Sequence, residues 1–163
     1  MADYIFTTVS NCFRTKDNQE VARVFEDLGF EETYVTPNND VFVGSYGEGA
    51  WSDDTYVVKN KEGKVVGAYE AYNSQYGDML ELVSGKLDIP YEEVNEEDYH
   101  EISLEAYIQD MLLDNQAFIL QETGHEKLRY NVGSAIIITK DDVKFFDIGC
   151  LVRDYLESKG IKE

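Results

Sequence analysis

The sequence predicts an α+β fold: a largely antiparallel sheet with three to four helices packed on it. Three observations carry that prediction. Short runs rich in β-branched and aromatic residues recur along the chain, short turns join most of them, and stretches with apolar residues at helical spacing interrupt them at intervals. With 163 residues, only Pro37 and Pro90 as prolines, no repeat and no low-complexity linker, a single domain over 1–163 is the simplest organisation. Twelve tyrosines and eight phenylalanines supply a sizeable core, since acidic chains that stay unfolded are poor in aromatics.

Taken in order, YIFTTV at residues 4–9 is an opening strand. A helix follows, its start marked by Thr15 or by Asp17 with Glu20 three residues on; Val21, Val24, Phe25 and Leu28 form its apolar stripe and Gly29 its stop. ETYVT, DVFVGSY, TYVVKN and KVVGAYEAY are strands, the last two a hairpin turning at Lys61, Glu62 and Gly63. Asp78 caps a helix carrying Met79, Leu80, Leu82 and Val83, stopped by Gly85 and Pro90. An acidic connection leads to Ser103, where Leu104, Tyr107, Ile108, Met111 and Leu112 make a stripe with Glu105, Gln109, Asp110 and Asp114 off it. QAFILQET and SAIIITK are strands joined through GHEKLRYNVG. VKFF is the last strand, and Asp147 opens a final helix with Leu151, Val152, Tyr155 and Leu156 inward and Gly160 at its end.

Charge is the outstanding feature. The net charge is −19, and it is unevenly placed: residues 65–126 hold fifteen acids and the single base Lys86. Residues 1–64 hold twelve acids and six bases, and residues 127–163 six acids and seven bases. Acidity that serves solubility alone is expected to spread over the surface, whereas here no lysine or arginine interrupts the acids from Leu87 to Glu126. An ordinary solvated face is the plain explanation; a surface for a basic partner is the functional one.

Familiar catalytic and metal-binding patterns are missing from the sequence. His100 and His125 have no second ligand at i+3 or i+4, and Cys12 and Cys150 are far apart without a CxxC, which suggests a reducing compartment and no disulfide. Gly44, Gly47 and Gly49 approach a glycine-rich loop, but no helix pattern follows. Asp53 and Asp54 before Glu62 and Lys64 resemble the metal-dependent nuclease arrangement, in which carboxylates hold a divalent ion and a lysine assists the attacking water. That pattern is short, and a strongly acidic protein repels phosphates. His125, Lys127 and Arg129 form a small basic cluster that pairs with nearby acids or holds an anion. The N-terminus MADYIFTTVSN lacks the pattern of a signal peptide, and no run of eighteen apolar residues occurs, so the expected location is the cytoplasm of a host cell.

The segments TTVSNCFRTKDNQEV and QETGHEKLRYNVGSAIIIT resemble small uncharacterised proteins encoded by phages, plasmids and conjugative elements. The resemblance covers the two ends of the chain and transfers no catalytic residue. In charge, such proteins are similar to anti-restriction and anti-CRISPR proteins that occupy DNA-binding grooves, which implies a non-enzymatic DNA mimic. The expected partner is then a basic nucleic-acid-binding protein, with no direct binding to nucleic acid, no membrane, no metal and no cofactor; a homodimer stays open. The expected partner-binding residues are Glu92, Glu93, Glu96, Glu97, Asp98, Tyr99, Glu101, Glu105, Asp110 and Asp114. Tyr91 and Tyr99 are the aromatic anchors in that stretch and Tyr107 belongs to the core. An immunity protein against a nuclease toxin and a small metal-dependent hydrolase are the alternatives.

Overall fold

Local signals set the helix boundaries. The computed structural model describes residues 4–46, 52–72, 75–126 and 130–160. Asp17 caps α1 (Asn18–Asp27) by accepting a 2.9 Å bond from the Glu20 amide, and Gly29 follows at φ +83, a left-handed conformation that suits a residue without Cβ. Asp78 caps α2 (Met79–Leu87) and Ser103 caps α3 (Leu104–Met111) in the same manner. α2 runs through Gly85 rather than stopping there and ends at Asp88, itself left-handed at φ 54. Gly85 has another role: a Cβ there would stand 2.6 Å from the Tyr76 ring, so its absence lets Tyr76 lie on the helix.

Ten strands form three antiparallel sheets among the described residues. The largest runs β10 (Val143–Asp147), β9 (Tyr130–Ile138), β8 (Phe118–Glu126), β1 (Tyr4–Ser10), β4 (Gly44–Tyr46). A second runs β6 (Val65–Glu70), β5 (Thr55–Asn60), β7 (Tyr99–Ser103), and β2 (Tyr34–Val35) pairs with β3 (Val41–Phe42). The α+β class is therefore as the sequence predicts, with the strands divided among three sheets. β7 lies where the sequence suggested only an acidic connection. GHEKLRYNVG, also read as a connection, is largely strand: Gly124 to Glu126 pair with Tyr130 to Val132, while Lys127, Leu128 and Arg129 lie outside the described residues. The side chain of His125 and the residues Gly47 and Gly49 lie outside them too.

Two apolar clusters hold these layers together. In the larger, Val21, Val24 and Phe25 of α1 and Leu104, Tyr107, Ile108 and Met111 of α3 meet Phe118, Leu120, Ile136 and Ile138 of the five-stranded sheet. Val57 and Ala68 close it from the second sheet. Because successive strand residues face opposite ways, the neighbouring Val58 and Tyr69 point into the other cluster, with Leu82 and Val83 of α2. The three-stranded sheet thus has a helix-bearing layer on each face, and β7 forms one of its edges. That edge carries the acidic stretch.

α4 (Ile148–Ser158) departs from expectation. Asp147 caps it as predicted, accepting from the Cys150 amide, yet no residue of the helix is buried, and Leu151, Val152 and Tyr155 face solvent instead of the interior. The main core lies on the Ile136 and Ile138 side of β9, whereas Ile148 packs over Gly133, whose register position falls on the opposite face. α4 therefore lies outside the shared core.

Candidate functional site: an acidic ledge and cleft

Between α2 and β7 the chain makes two 3₁₀ turns, Tyr91–Glu93 and Glu96–Asp98, after Pro90. The local sequence YEEVNEEDY explains how they sit. Val94 and Tyr99 pack against the α2 cluster, leaving Glu92, Glu93, Glu96 and Glu97 fully on the outside. Apolar residues spaced between pairs of acids thus pin a ledge whose carboxylates all face water. Of the two aromatic anchors expected in the stretch, Tyr99 is half-buried, supporting the ledge and lining the cleft described below, and Tyr91 is exposed.

The ledge is also clipped to the β5–β6 hairpin. Lys61 Nζ lies 2.6 Å from Asp98, and the Lys61 amide donates to the Asp98 carbonyl at 2.9 Å. The hydrogen bond from Lys61 holds the Asp98 carboxyl below the usual carboxylate range. Beyond Asp98, β7 pairs residue by residue with β5, from Tyr99 opposite Asn60 to Ser103 opposite Tyr56. Glu101 accepts a 2.5 Å hydrogen bond from the phenol of Tyr69, and burial together with that bond pushes the Tyr69 phenol well above its ordinary range. Glu101 is thereby held at the margin of a cleft.

That cleft, about 640 Å³, lies between the first turn of α2 and the ledge. Asp78, Met79 and Leu80 form one side; Glu96, Glu97, Tyr99, His100 and Glu101 form the other, with Tyr69 at the base. Four carboxylates and a single imidazole line it, so its chemistry suits the ammonium or guanidinium of a basic side chain and disfavours an anion. Asp78 was legible in the sequence only as a helix cap; that its helix start faces the ledge depends on the packing of α2 on β5 and β6, which no local signal reveals.

The ten sequence-predicted residues do not form one surface. Glu92, Glu93, Glu96, Glu97 and Glu101 belong to the ledge and cleft, and the four ledge glutamates form no ion pair among the described residues. Asp110 lies six residues along α3 from Leu104, roughly 9 Å at the helical rise. It is 2.9 Å from Lys16, and Asp114 is paired with Lys140. Asp98, Asp110 and Asp114 are thus tied by lysines from other segments, which corrects the expectation that acids in this stretch stand unpaired. The lysines are distant in sequence, so counting bases within residues 87–126 could not find them. Glu105 is half-buried on α3 and continues the acidic face weakly.

Other sequence candidates are not assembled. Asp54 precedes β5 and Glu62 and Lys64 follow it, so six strand residues hold the nuclease-like set apart by roughly 20 Å. No group of three or more metal-ligating side chains occurs among the described residues, and none of their helices is long and apolar enough to cross a membrane. No protein-family model, no curated protein sequence and no solved structure matches this chain.

Proposed function

We propose that this chain is a non-enzymatic inhibitor whose acidic ledge substitutes for nucleic-acid phosphates in the basic groove of an enzyme of host defence. The observation that carries this reading is the presentation of Glu92, Glu93, Glu96 and Glu97 on two successive turns anchored from beneath by Val94 and Tyr99. Unpaired carboxylates on a supported backbone lose little conformational freedom when a partner's lysines and arginines close on them, so more of the charge attraction remains for binding. Duplex DNA offers such a partner one negative charge per ~1.7 Å of axis, and its groove is built to answer that density. Glu101 and Asp78 extend the acidic surface inward, where a protruding basic side chain could enter, and Tyr91 provides exposed aromatic contact beside it.

The test is capture from a host extract by the immobilised chain, followed by elution with duplex DNA. Nucleic-acid enzymes should be retained at low salt, released by the duplex, and lost with Glu92→Lys, Glu93→Lys, Glu96→Lys and Glu97→Lys combined. That variant should stay folded, because all four side chains are exposed. Retention by the reversed ledge equal to that of the parent would overturn the proposal, as would a mobility shift of random duplex by the chain itself at micromolar concentration.

A further inference from the structure

The strip from Val143 to Tyr155 exposes more large apolar side chains than any other stretch of similar length among the described residues. On β10, Val143 and Phe145 stand opposite Ile138 and Ile136, on the face of the sheet that bears the main core, yet past its margin; Phe145 is 67% exposed. On α4, Ile148, Leu151, Val152 and Tyr155 form a stripe at i, i+3, i+4 and i+7 whose members are each about half exposed or more. Among the described residues β10 is also the last strand on its side of the sheet, so its outer backbone groups have no strand partner among them. An amphipathic helix of eleven residues gains most of its stability from covering its stripe, and a bare apolar edge strand invites pairing.

We propose that this edge is where two copies of the chain meet, β10 and α4 of one protomer against β10 and α4 of its partner about a two-fold axis. Charge selects a second copy as the occupant and this edge as the place. Residues 1–126 contain twenty-seven acids and seven bases, so contact between two copies through most of that surface sets carboxylate against carboxylate. The described residues 141–160, which carry the strip, contain five acids and three bases, much nearer balance. Around the apolar strip, Lys144, Arg153 and Lys159 are interspersed with Asp141, Asp142, Asp147, Asp154 and Glu157. A two-fold axis presents a patch to itself, and a patch of mixed sign can then set its bases against the partner's acids. A strongly basic partner, of the kind proposed for the ledge, finds far less excess of acid here than over residues 65–126. Antiparallel pairing of the two β10 edges would satisfy their backbone groups, as strand addition does elsewhere. The surface shares no residue with the ledge, so it stands or falls independently of the proposed function.

Sedimentation equilibrium of the full chain, from about 1 to about 200 µM protein and at about 20 and about 500 mM salt, tests it. A reversible monomer–dimer equilibrium is expected that tightens by ~tenfold or more at the higher salt, because screening removes repulsion between two highly acidic bodies. Leu151→Glu with Tyr155→Glu on α4, and separately Phe145→Lys on β10, should each weaken it at least ~tenfold. Circular dichroism should match the parent, since the replaced side chains are exposed. A parent that stays monomeric throughout, a dimer that loosens with salt, or a dimer unmoved by both variants would overturn the proposal; the parent salt series needs no variant to fold.

Discussion

α3 and α4 are built to the same local plan and end in opposite environments. α3 places Leu104, Tyr107, Ile108 and Met111 at i, i+3, i+4 and i+7; α4 places Ile148, Leu151, Val152 and Tyr155 at the same offsets. Each begins at a residue whose side chain accepts from the amide three positions on, Ser103 from Ala106 and Asp147 from Cys150. Yet Tyr107 is 0% exposed and Tyr155 63%. The difference lies in what stands opposite. α3 follows β7 directly and joins the core between the five-stranded and three-stranded sheets, whereas α4 packs mainly on β9 and β10 at the rim of one sheet. An apolar stripe at helical spacing therefore specifies a helix and its inward-seeking face. It does not specify that the same chain provides the cover.

The largest effect that separates the two helices is on stability. Ile108→Ala and Tyr107→Ala should each cost roughly 2 to 5 kcal/mol, the range for truncating a large side chain in a packed core. Tyr107 also loses its 3.0 Å bond to Glu20 and the Lys59 ammonium 5.4 Å from its ring centre. Leu151→Ala and Val152→Ala should stay within about 0.5 kcal/mol when the protomer is dilute enough to be monomeric. Denaturant melts of the four variants measure this directly. If Leu151→Ala melts as early as Ile108→Ala, α4 is covered within a single chain and the contrast between the helices collapses.

What was legible in the sequence follows the same division between local and distant causes. Asp17, Asp78, Ser103 and Asp147 announced all four helix starts, and Gly63, at φ +81, marked the β5–β6 turn, because caps and turns are satisfied by residues a few positions away. The core stripe of α3 was legible for the same reason. β7 was missed since YHEIS lies in an acidic run and owes its extended form to pairing with β5, some forty residues earlier. At the candidate site, the exposure of Glu92 to Glu97 could be read from the pattern. The lysines that claim Asp98, Asp110 and Asp114 could not, because Lys61, Lys16 and Lys140 reach them only through the tertiary fold.

A smaller effect belongs to the buried tyrosines on the α3 side of the comparison. Burial and the neighbouring Glu20 push the Tyr107 phenol well above its ordinary range, and burial with Glu101 does the same to Tyr69. A folded pKa raised above the unfolded value of about 10 contributes stability that is fully present below pH ~10 and is lost as pH rises above it. Unfolding free energy should therefore fall steeply above pH ~10. Tyr107→Phe should cost about 1 kcal/mol at pH ~8, through the lost hydrogen bond, and should flatten the alkaline fall. An alkaline slope unchanged in Tyr107→Phe would place its source in other groups.

The smallest expected effect concerns the charges at the C-terminal end of each helix, and its sign is the informative part. α3 ends with Asp110 held by Lys16 and Asp114 held by Lys140, while α4 has no ion pair among the described residues. Hydrogen bonds from these lysines keep both carboxyls below the usual carboxylate range, as Lys61 does for Asp98. A depressed folded pKa contributes stability that is present above pH ~4 and lost as pH falls through the folded value. All three pairs are well exposed, so screening by water keeps the contribution slight. Asp98→Asn, Asp110→Asn and Asp114→Asn together should lower the melting temperature a little at neutral pH, and the gap to the parent should close in acid and in high salt. Replacing Glu92, Glu93, Glu96 and Glu97 by Gln should act in the other direction, leaving the melting temperature unchanged or raising it, because these carboxylates form no ion pair among the described residues and repel one another. Thermal melts of both sets at two salt concentrations read the two signs side by side. A loss of stability in the Gln set would mean that the ledge carboxylates help to hold the fold, which would remove the ground for treating them as a surface kept free for a partner.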